Sequence, residues 1–322
     1  MYEIEELNLK GEKGNILNKG KTILLPKEKK NFINIELYEK SDESDYKLKN
    51  EIKHDDPYGM FYLTMLSNEM IITSSIYTIR IYKKGENSSY QIYQIFKILD
   101  WNEIYKIKEL ENSNFAVCGG YGFIIFNKNN NEYEVSLEIN ESTLGEHHRI
   151  FDFMKIKGEK DAFILYGRKK AFIINDKNII NQTSLDYEFI NYLNNYNLIC
   201  HFNDELYILS GKRHITVINI NENEFKQIDF LKEVKRAKKH QYEKEECPFI
   251  YKYNSNSIIL IFSKGIFIIQ IINNEKIQIK LSIKLDINEY YHYLNFIEEE
   301  KAIYYNDIND KIKKLKNKKK YA

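Results

Sequence analysis

FYLTMLSNEMIITSSIYTIRIY (residues 61–82) and IYKIKELENSNFAVCGGYGFIIF (residues 104–126) are written on the same plan. Each opens with an alternating apolar run, turns through polar residues and continues as a second apolar run. A turn of serines or glycines then leads to a third run, which makes each stretch a meander of three short strands. A fourth alternating segment follows each, YQIYQIF (90–96) and YEVSLEI (133–139). Working outward, the first apolar residue of the second strand aligns as Ile23, Met70, Phe115, Phe163, Leu206, Ile258 and Ala302, at spacings of 47, 45, 48, 43, 52 and 44 residues. Second strands such as FAV (115–117) and IILIF (258–262) are apolar on both faces, as a strand covered from both sides must be.

Seven units of about 46 residues, four short strands each, predict an all-β fold, a seven-bladed β-propeller of four-stranded antiparallel blades. It would occupy residues 1–322 as a single domain. A β-sandwich fits less well, because sandwiches do not repeat at fixed spacing. The last unit stops after IKKLK (312–316), one strand short, while YEIEELNL (2–9) precedes the first unit; the N-terminal segment is therefore expected to complete the seventh blade. The 52-residue spacing reflects a charged insertion, LKEVKRAKKHQYEKEEC (231–247), read as a solvated loop, and the basic tail from about 316 to 322 as a frayed end. Between 175 and 197 the chain offers one candidate strand too many, NIINQTSL and YEFINYL.

Composition narrows the function. With 43% hydrophobic residues the chain can build a full core, and 26 Tyr and 18 Phe favour strands. Lys and Arg number 48 against 47 Asp and Glu, a net charge of +1, so no global field recruits specific nucleic acid, and membrane contact is peripheral at most. Three cysteines, Cys118, Cys200 and Cys247, have neither disulfide-framework nor metal-ligand spacing. The acidic MYEIEELNLK is no signal peptide, and the apolar run 258–272 is broken by Ser263, Lys264 and Gln270. The expected location is cytoplasmic. Three Asn-x-Ser/Thr sites (Asn87, Asn140, Asn181) carry little weight in so Asn-rich a chain.

TIRIY (78–82), preceded by Thr73, Ser74 and Ser75, resembles the third strand and Ser/Gly turn of WD repeats. The units depart from that family in lacking any Trp-Asp dipeptide, in having Trp101 as the only tryptophan, and in lacking the turn Asp near Ile76 or Tyr121. The family's buried Asp/His/Ser/Trp network is therefore expected not to form. The Gly119-Gly120 pair resembles kelch repeats, but no other unit has it. The WD resemblance implies that each turn between second and third strands lies on one face with the connection leading into a first strand, and that partners dock there.

No linear motif of a nucleotide hydrolase, metalloprotease, serine hydrolase or calcium loop is present. His147-His148 has no third ligand, and Asp55-Asp56 reads as a turn cap. The sequence thus assigns no catalytic residue, no metal and no cofactor, and reads as non-enzymatic, with a catalytic propeller the less favoured alternative. The lead-in connections carry His54, Asp55, Asp56 and Tyr58, then Asp100 and Trp101, then Glu146, His147, His148 and Arg149, then Asp286, Asn288 and Tyr290. Trp101 is a candidate anchor for a partner. The second-to-third-strand turns are expected to carry Lys27, Lys29 and Lys30, then Arg168, Lys169 and Lys170, then Lys212, Arg213 and His214, then Lys264. Trp101, Arg168, Lys169, Lys170, Lys212, Arg213 and Lys264 are the candidate partner-binding residues. The function expected is a scaffold or adaptor that binds other proteins, through an acidic or phosphorylated peptide. The alternative is a propeller that binds phosphoinositide or another anionic membrane surface.

Overall fold

The computed structural model describes residues 2–10, 15–17, 21–41, 45–56, 59–60, 62–98, 103–120, 122–145, 149–185, 197–211, 214–230, 232, 249–262, 265–272, 276–284, 294–297, 302–306 and 311–317. In chain order the strands are β1 (Tyr2–Lys10), β2 (Asn15–Leu17), β3 (Thr22–Lys29), β4 (Phe32–Lys40), β5 (Tyr46–His54), β6 (Tyr62–Met65), β7 (Ile71–Ser74), β8 (Thr78–Lys84), β9 (Tyr90–Lys97), β10 (Ile104–Glu109), β11 (Phe115–Gly119), β12 (Gly122–Asn129), β13 (Glu132–Asn140) and β14 (Ile150–Lys155). There follow β15 (Ala162–Gly167), β16 (Lys170–Asn175), β17 (Asn178–Ser184), β18 (Ile199–His201), β19 (Leu206–Leu209), β20 (His214–Asn219), β21 (Glu224–Asp229), β22 (Phe249–Asn254), β23 (Ser257–Phe262), β24 (Gly265–Ile272), β25 (Lys276–Lys284), β26 (Leu294–Ile297), β27 (Ala302–Asn306) and β28 (Lys311–Asn317). They sort into seven four-stranded sheets: β2 to β5, β6 to β9, β10 to β13, β14 to β17, β18 to β21, β22 to β25, and β26 to β28 with β1 at the edge. Six of the seven sequence landmarks fall inside a second strand, and Met70 lies one residue before β7. NIINQTSL is β17; YEFINYL and, apart from Lys232, the insertion 231–247 lie outside the described residues.

The strands form two compact units, Met1–Ser136 with Leu193–Asn195 and Ile287–Ala322, and Leu137–Tyr192 with Tyr196–Asp286. Within the first unit, one cluster joins the second and third sheets through Ile72, Ile81, Phe115, Val117, Phe126 and Tyr133. Phe115 stacks on Phe126 at 4.7 Å and meets Tyr133 edge-on at 5.1 Å, contacts each contributing about 0.5–1.5 kcal/mol beyond area burial. In the second unit Ile208, Val217, Ile250, Leu260, Phe267 and Ile269 do the same for the fifth and sixth sheets. Second strands are buried end to end, FAVCG in β11 and AFILYG in β15, which is why they read as unbroken apolar runs.

The outer strands repeat a device that alternation does not reveal. Each of β5, β9, β17 and β25 carries one extra residue, Lys49, Tyr93, Ile180 and Lys280, bulged opposite the middle of its third strand. A bulge twists the edge and spoils it as a template for edge-to-edge pairing. In three of these strands the next residue is an amide that reaches the following sheet. Asn50 Nδ2 donates to the Ser88 carbonyl at 2.7 Å, and Asn181 Nδ2 to the Asn223 carbonyl at 2.8 Å. Gln94 donates to the Tyr133 carbonyl and accepts from its N–H, both at 2.9 Å. A buried carboxylate makes a further clasp in the second unit. Asp152, 0% exposed on β14, accepts from the N–H groups of Phe153 at 2.8 Å, Leu198 at 2.7 Å and Ile199 at 3.2 Å. It thereby ties the fourth sheet to the start of the fifth.

As expected from sequence, β1 pairs antiparallel with β28 and completes the last sheet, with Glu3, Glu5 and Glu6 opposite Lys316, Lys314 and Lys313. Opposite charges in register favour this pairing over a slipped one. Deleting residues 1–10 strips the edge of that sheet and should lower the melting temperature by about 5 °C or more. An unchanged transition in scanning calorimetry would show that the strand stabilises nothing. Asp152→Ala leaves three buried N–H groups without this acceptor and should cost about 3 kcal/mol. Asp152→Asn, which keeps one acceptor oxygen, should cost less; urea midpoints at unchanged m-value provide the measurement.

Candidate functional site

At one end of the second sheet, the connection from β5 to β6 meets the turn between β7 and β8. Thr78 Oγ1 donates to Asp56 Oδ2 at 2.6 Å, and Arg80 reaches Asp55 Oδ1 at 2.8 Å and Asp56 Oδ2 at 3.2 Å. Ser75 closes the turn, its N–H on the Thr78 carbonyl and its hydroxyl 2.9 Å from that of Thr78. Lead-in connection and second-to-third-strand turn therefore lie together here, as the WD resemblance implies. Asp55 and Asp56 are charge partners of one guanidinium. Hydrogen bonding from Arg80 holds the Asp55 carboxyl below the usual range. Burial pulls the Arg80 guanidinium down, but Asp55 and Asp56 outweigh it and leave it raised.

Behind this cluster the sheet holds a buried polar network of a different make from the family's Asp/His/Ser/Trp one. His54 is 1% exposed; its Nδ1 lies 2.8 Å from the Tyr82 hydroxyl and 3.4 Å from Thr73 Oγ1, and its Nε2 3.3 Å from the Gly59 carbonyl. The carbonyl only accepts, so Nε2 carries the proton and Nδ1 accepts from Tyr82. A shortened His/Thr/Tyr network thus forms without the family's Asp and Trp, because the hydroxyl at the end of TIRIY supplies the donor an indole would give. The signal was His54 and Tyr82 themselves, polar-tipped residues at the end of β5 and within β8.

The fourth sheet presents the described part of the predicted basic surface. β15 ends at Gly167, Arg168 and Lys169 make the turn, and β16 starts at Lys170. A Cβ on Gly167 would sit 2.8 Å from the Lys170 carbonyl, 3.3 Å from the Phe172 ring and 3.5 Å from the Arg149 carbonyl, so only glycine lets these segments close. Arg168 and Arg149 are half-buried and Lys169 is exposed. The Lys169 carbonyl accepts from Leu185 N–H at 2.8 Å, which pins the end of β17. Lys170 donates to Gln182 Oε1 at 3.2 Å and so runs along the sheet. Trp101, Lys212, Arg213 and Lys264 lie outside the described residues, as do Tyr58, His147 and His148. In the first sheet the expected turn is misplaced: Lys27 and Lys29 belong to β3, Lys27 is paired with Glu36 at 2.7 Å, and only Lys30 is in the turn. The hairpin is longer than its sequence shows. Among the described residues, no group of three or more His, Cys, Asp or Glu is placed to hold a metal ion, and no helix is long and apolar enough to cross a membrane.

The His54 network generates a pH dependence. Burial, with Arg80 adding to it, holds the His54 imidazole below its ordinary range against the opposing pull of Gly59, Asp56 and Asp55. Since the folded value lies below the unfolded one, the associated stability is complete above about pH 6.5. It is lost as pH falls toward the folded value, because the unfolded chain binds a proton that the native state refuses. His54→Gln should reduce the slope of unfolding free energy against pH between about 6.5 and 5 by one proton's worth. Chemical denaturation at a series of pH values would reveal it, and identical slopes would mean that His54 titrates alike in both states.

No family model matches the sequence and no curated protein matches it. Solved structures do match. The Pan2 WD40 domain of Neurospora crassa covers 93% of this chain and 86% of its own length, at 9% identity and a TM-score of 0.62. Virginiamycin B lyase of Staphylococcus aureus covers 98% of this chain and all of its own, at 14% identity and a TM-score of 0.61. A streptogramin B lyase gives 98% and 97%, at 14% identity and 0.60. These likenesses show the fold, a degenerate WD-like β-propeller of four-stranded antiparallel blades. They also correct the non-enzymatic reading: a propeller of the same fold is a lyase, of which a catalytically inactive variant exists with quinupristin. The physical reason is that catalytic groups on a propeller come from different blades, some 46 residues apart, where a search for linear motifs is blind.

Proposed function

We propose that this propeller is a protein-interaction module of the cytoplasm that takes an acidic or phosphorylated segment of a partner at the end of its fourth sheet. The observation that carries the reading is the composition of one turn. Arg168 and Lys169 are the whole of the connection between β15 and β16, whereas the corresponding turns of the second and third sheets, Ser75 to Tyr77 and Gly120 with Tyr121, carry no charge. The next two turns in sequence hold Lys212 and Arg213, between β19 and β20, and Lys264, between β23 and β24. Their charges overlap with the first within a Debye length of about 8 Å if the turns are neighbours. Arginine supplies directional paired hydrogen bonds while the lysines, Lys170 included, steer the approach. Trp101 is a separate apolar anchor in its own connection.

Binding of an immobilised acidic peptide array to the wild type and to the Arg168→Glu/Arg213→Glu double variant, at low and high salt, tests this. Each arginine should contribute about 1–3 kcal/mol when desolvated, so the variant should bind at least about tenfold more weakly. The wild-type affinity should fall as salt rises. Equal affinities, with the variant folded, would move recognition away from these turns.

A further inference from the structure

We infer that β9 carries a docking surface for an extended segment of a partner protein, one that presents two apolar residues and then an acidic residue at alternate positions. The surface lies on another sheet from the fourth-sheet turn and does not depend on that reading. Register sets the row of side chains that forms it. Tyr82, Arg80 and Thr78 alternate along β8 and share one face, and their partners on β9 are Ile92, Ile95 and Lys97. Two isoleucines three residues apart would point to opposite faces of a regular strand; the bulge at Tyr93 brings them to the same one. That face is turned to the first sheet, because Tyr82 packs there with Leu24, Ile35, Leu37 and Ile52.

The first sheet leaves the row uncovered. It reaches the second sheet at Asn50, whose Nδ2 donates to the Ser88 carbonyl just before β9, and again where Asp55 meets Arg80, the partner of Ile95. Between these ties Ile92 and Ile95 are each 46% exposed. Lys97 follows on the same face, exposed and without an acidic partner among the described residues. The other bulged outer strands show that the fold does not require this. The residue before the bulge is apolar in all four, Leu48, Ile92, Ile179 and Ile279. Two places after the bulge the others carry Glu51, Gln182 and Ser282, whereas β9 carries Ile95. An isoleucine held half in water where the repeat elsewhere is polar leaves apolar area that a covering partner removes. The row also specifies that partner. An extended chain sets every second side chain on one face, so two apolar side chains can lie on Ile92 and Ile95 while the next, acidic, pairs with Lys97.

The test uses the full chain and the fluorescent peptide Thr-Leu-Thr-Leu-Thr-Glu-Thr, in this order and in reverse, followed by anisotropy. One order should bind, and replacing its glutamate by lysine should weaken it at least about tenfold. Ile92→Thr/Ile95→Thr, which keeps β-branched residues suited to a strand, should abolish binding with the melting temperature nearly unchanged. Lys97→Glu should invert the preference and take the lysine peptide over the glutamate one. Misfolding cannot produce that exchange, so it decides the matter if the isoleucine variant does not fold. Arg168→Glu/Arg213→Glu should bind the glutamate peptide as the wild type does, which separates this surface from the fourth-sheet turn. Binding of neither order, or an affinity indifferent to the isoleucine variant, overturns the surface and leaves the reading of the turn untouched. A dimer in light scattering that the isoleucine variant dissociates gives the row to a second copy of this chain and overturns the partner segment.

Discussion

A strand that is apolar on both faces has to be covered on both faces, and the second strand of each sheet imposes that demand. Every residue of β11 and β15 is buried, and such strands need cover on either side. Four-stranded sheets stacked face to face meet the demand with sequence-local meanders. Most backbone hydrogen bonds are then made within some 40 residues of chain, and only the faces need long-range partners. Side chains from adjacent sheets fill the space between, as Ile72 and Ile81 of the second sheet and Phe115 and Phe126 of the third do.

Such stacking is greasy and non-directional, and on its own would let sheets slide. The WD pattern fixes them with a buried polar network in each repeat; here the means are more varied. His54, Thr73 and Tyr82 provide one shortened network. Asp152 clasps three main-chain amides across two sheets. On the outside, Asn50, Gln94 and Asn181 each follow a bulge and reach the next sheet. Each bond is worth about 1 kcal/mol at most where it is exposed, but all of them restrict the same sliding motion. They also give the asparagine-rich composition a structural use.

The candidate site follows the same economy of position. A chain with nearly equal numbers of acids and bases has no field of its own at a distance, so recognition by charge has to be built by placing a few groups together. At the second sheet the placed charges neutralise one another, Arg80 with Asp55 and Asp56. At the fourth, the turn consists of Arg168 and Lys169. The two ends share a backbone plan and differ in chemistry, which is how one repeated fold hosts unlike sites, including the catalytic one of its lyase relatives in structure.

The linear pattern by itself determined the repeat, the four-strand plan, the landmarks of the second strands and the return of the N-terminal strand to the last sheet. These rest on alternation and spacing, which are properties of the chain read one residue at a time. Tertiary structure alone decided the bulges at Lys49, Tyr93, Ile180 and Lys280, because one extra residue in an edge strand barely disturbs an alternating pattern. It decided that Tyr82 turns its hydroxyl to His54, since a tyrosine in a strand reads as core whatever its tip does. It decided the fate of Lys27, which a lysine-rich hairpin leaves open until Glu36 is found diagonally across on β4, 2.7 Å from its ammonium. It also brought the Arg149 carbonyl against Gly167, eighteen residues later in sequence, because Gly167 looks like any turn glycine until the strand it admits is in place.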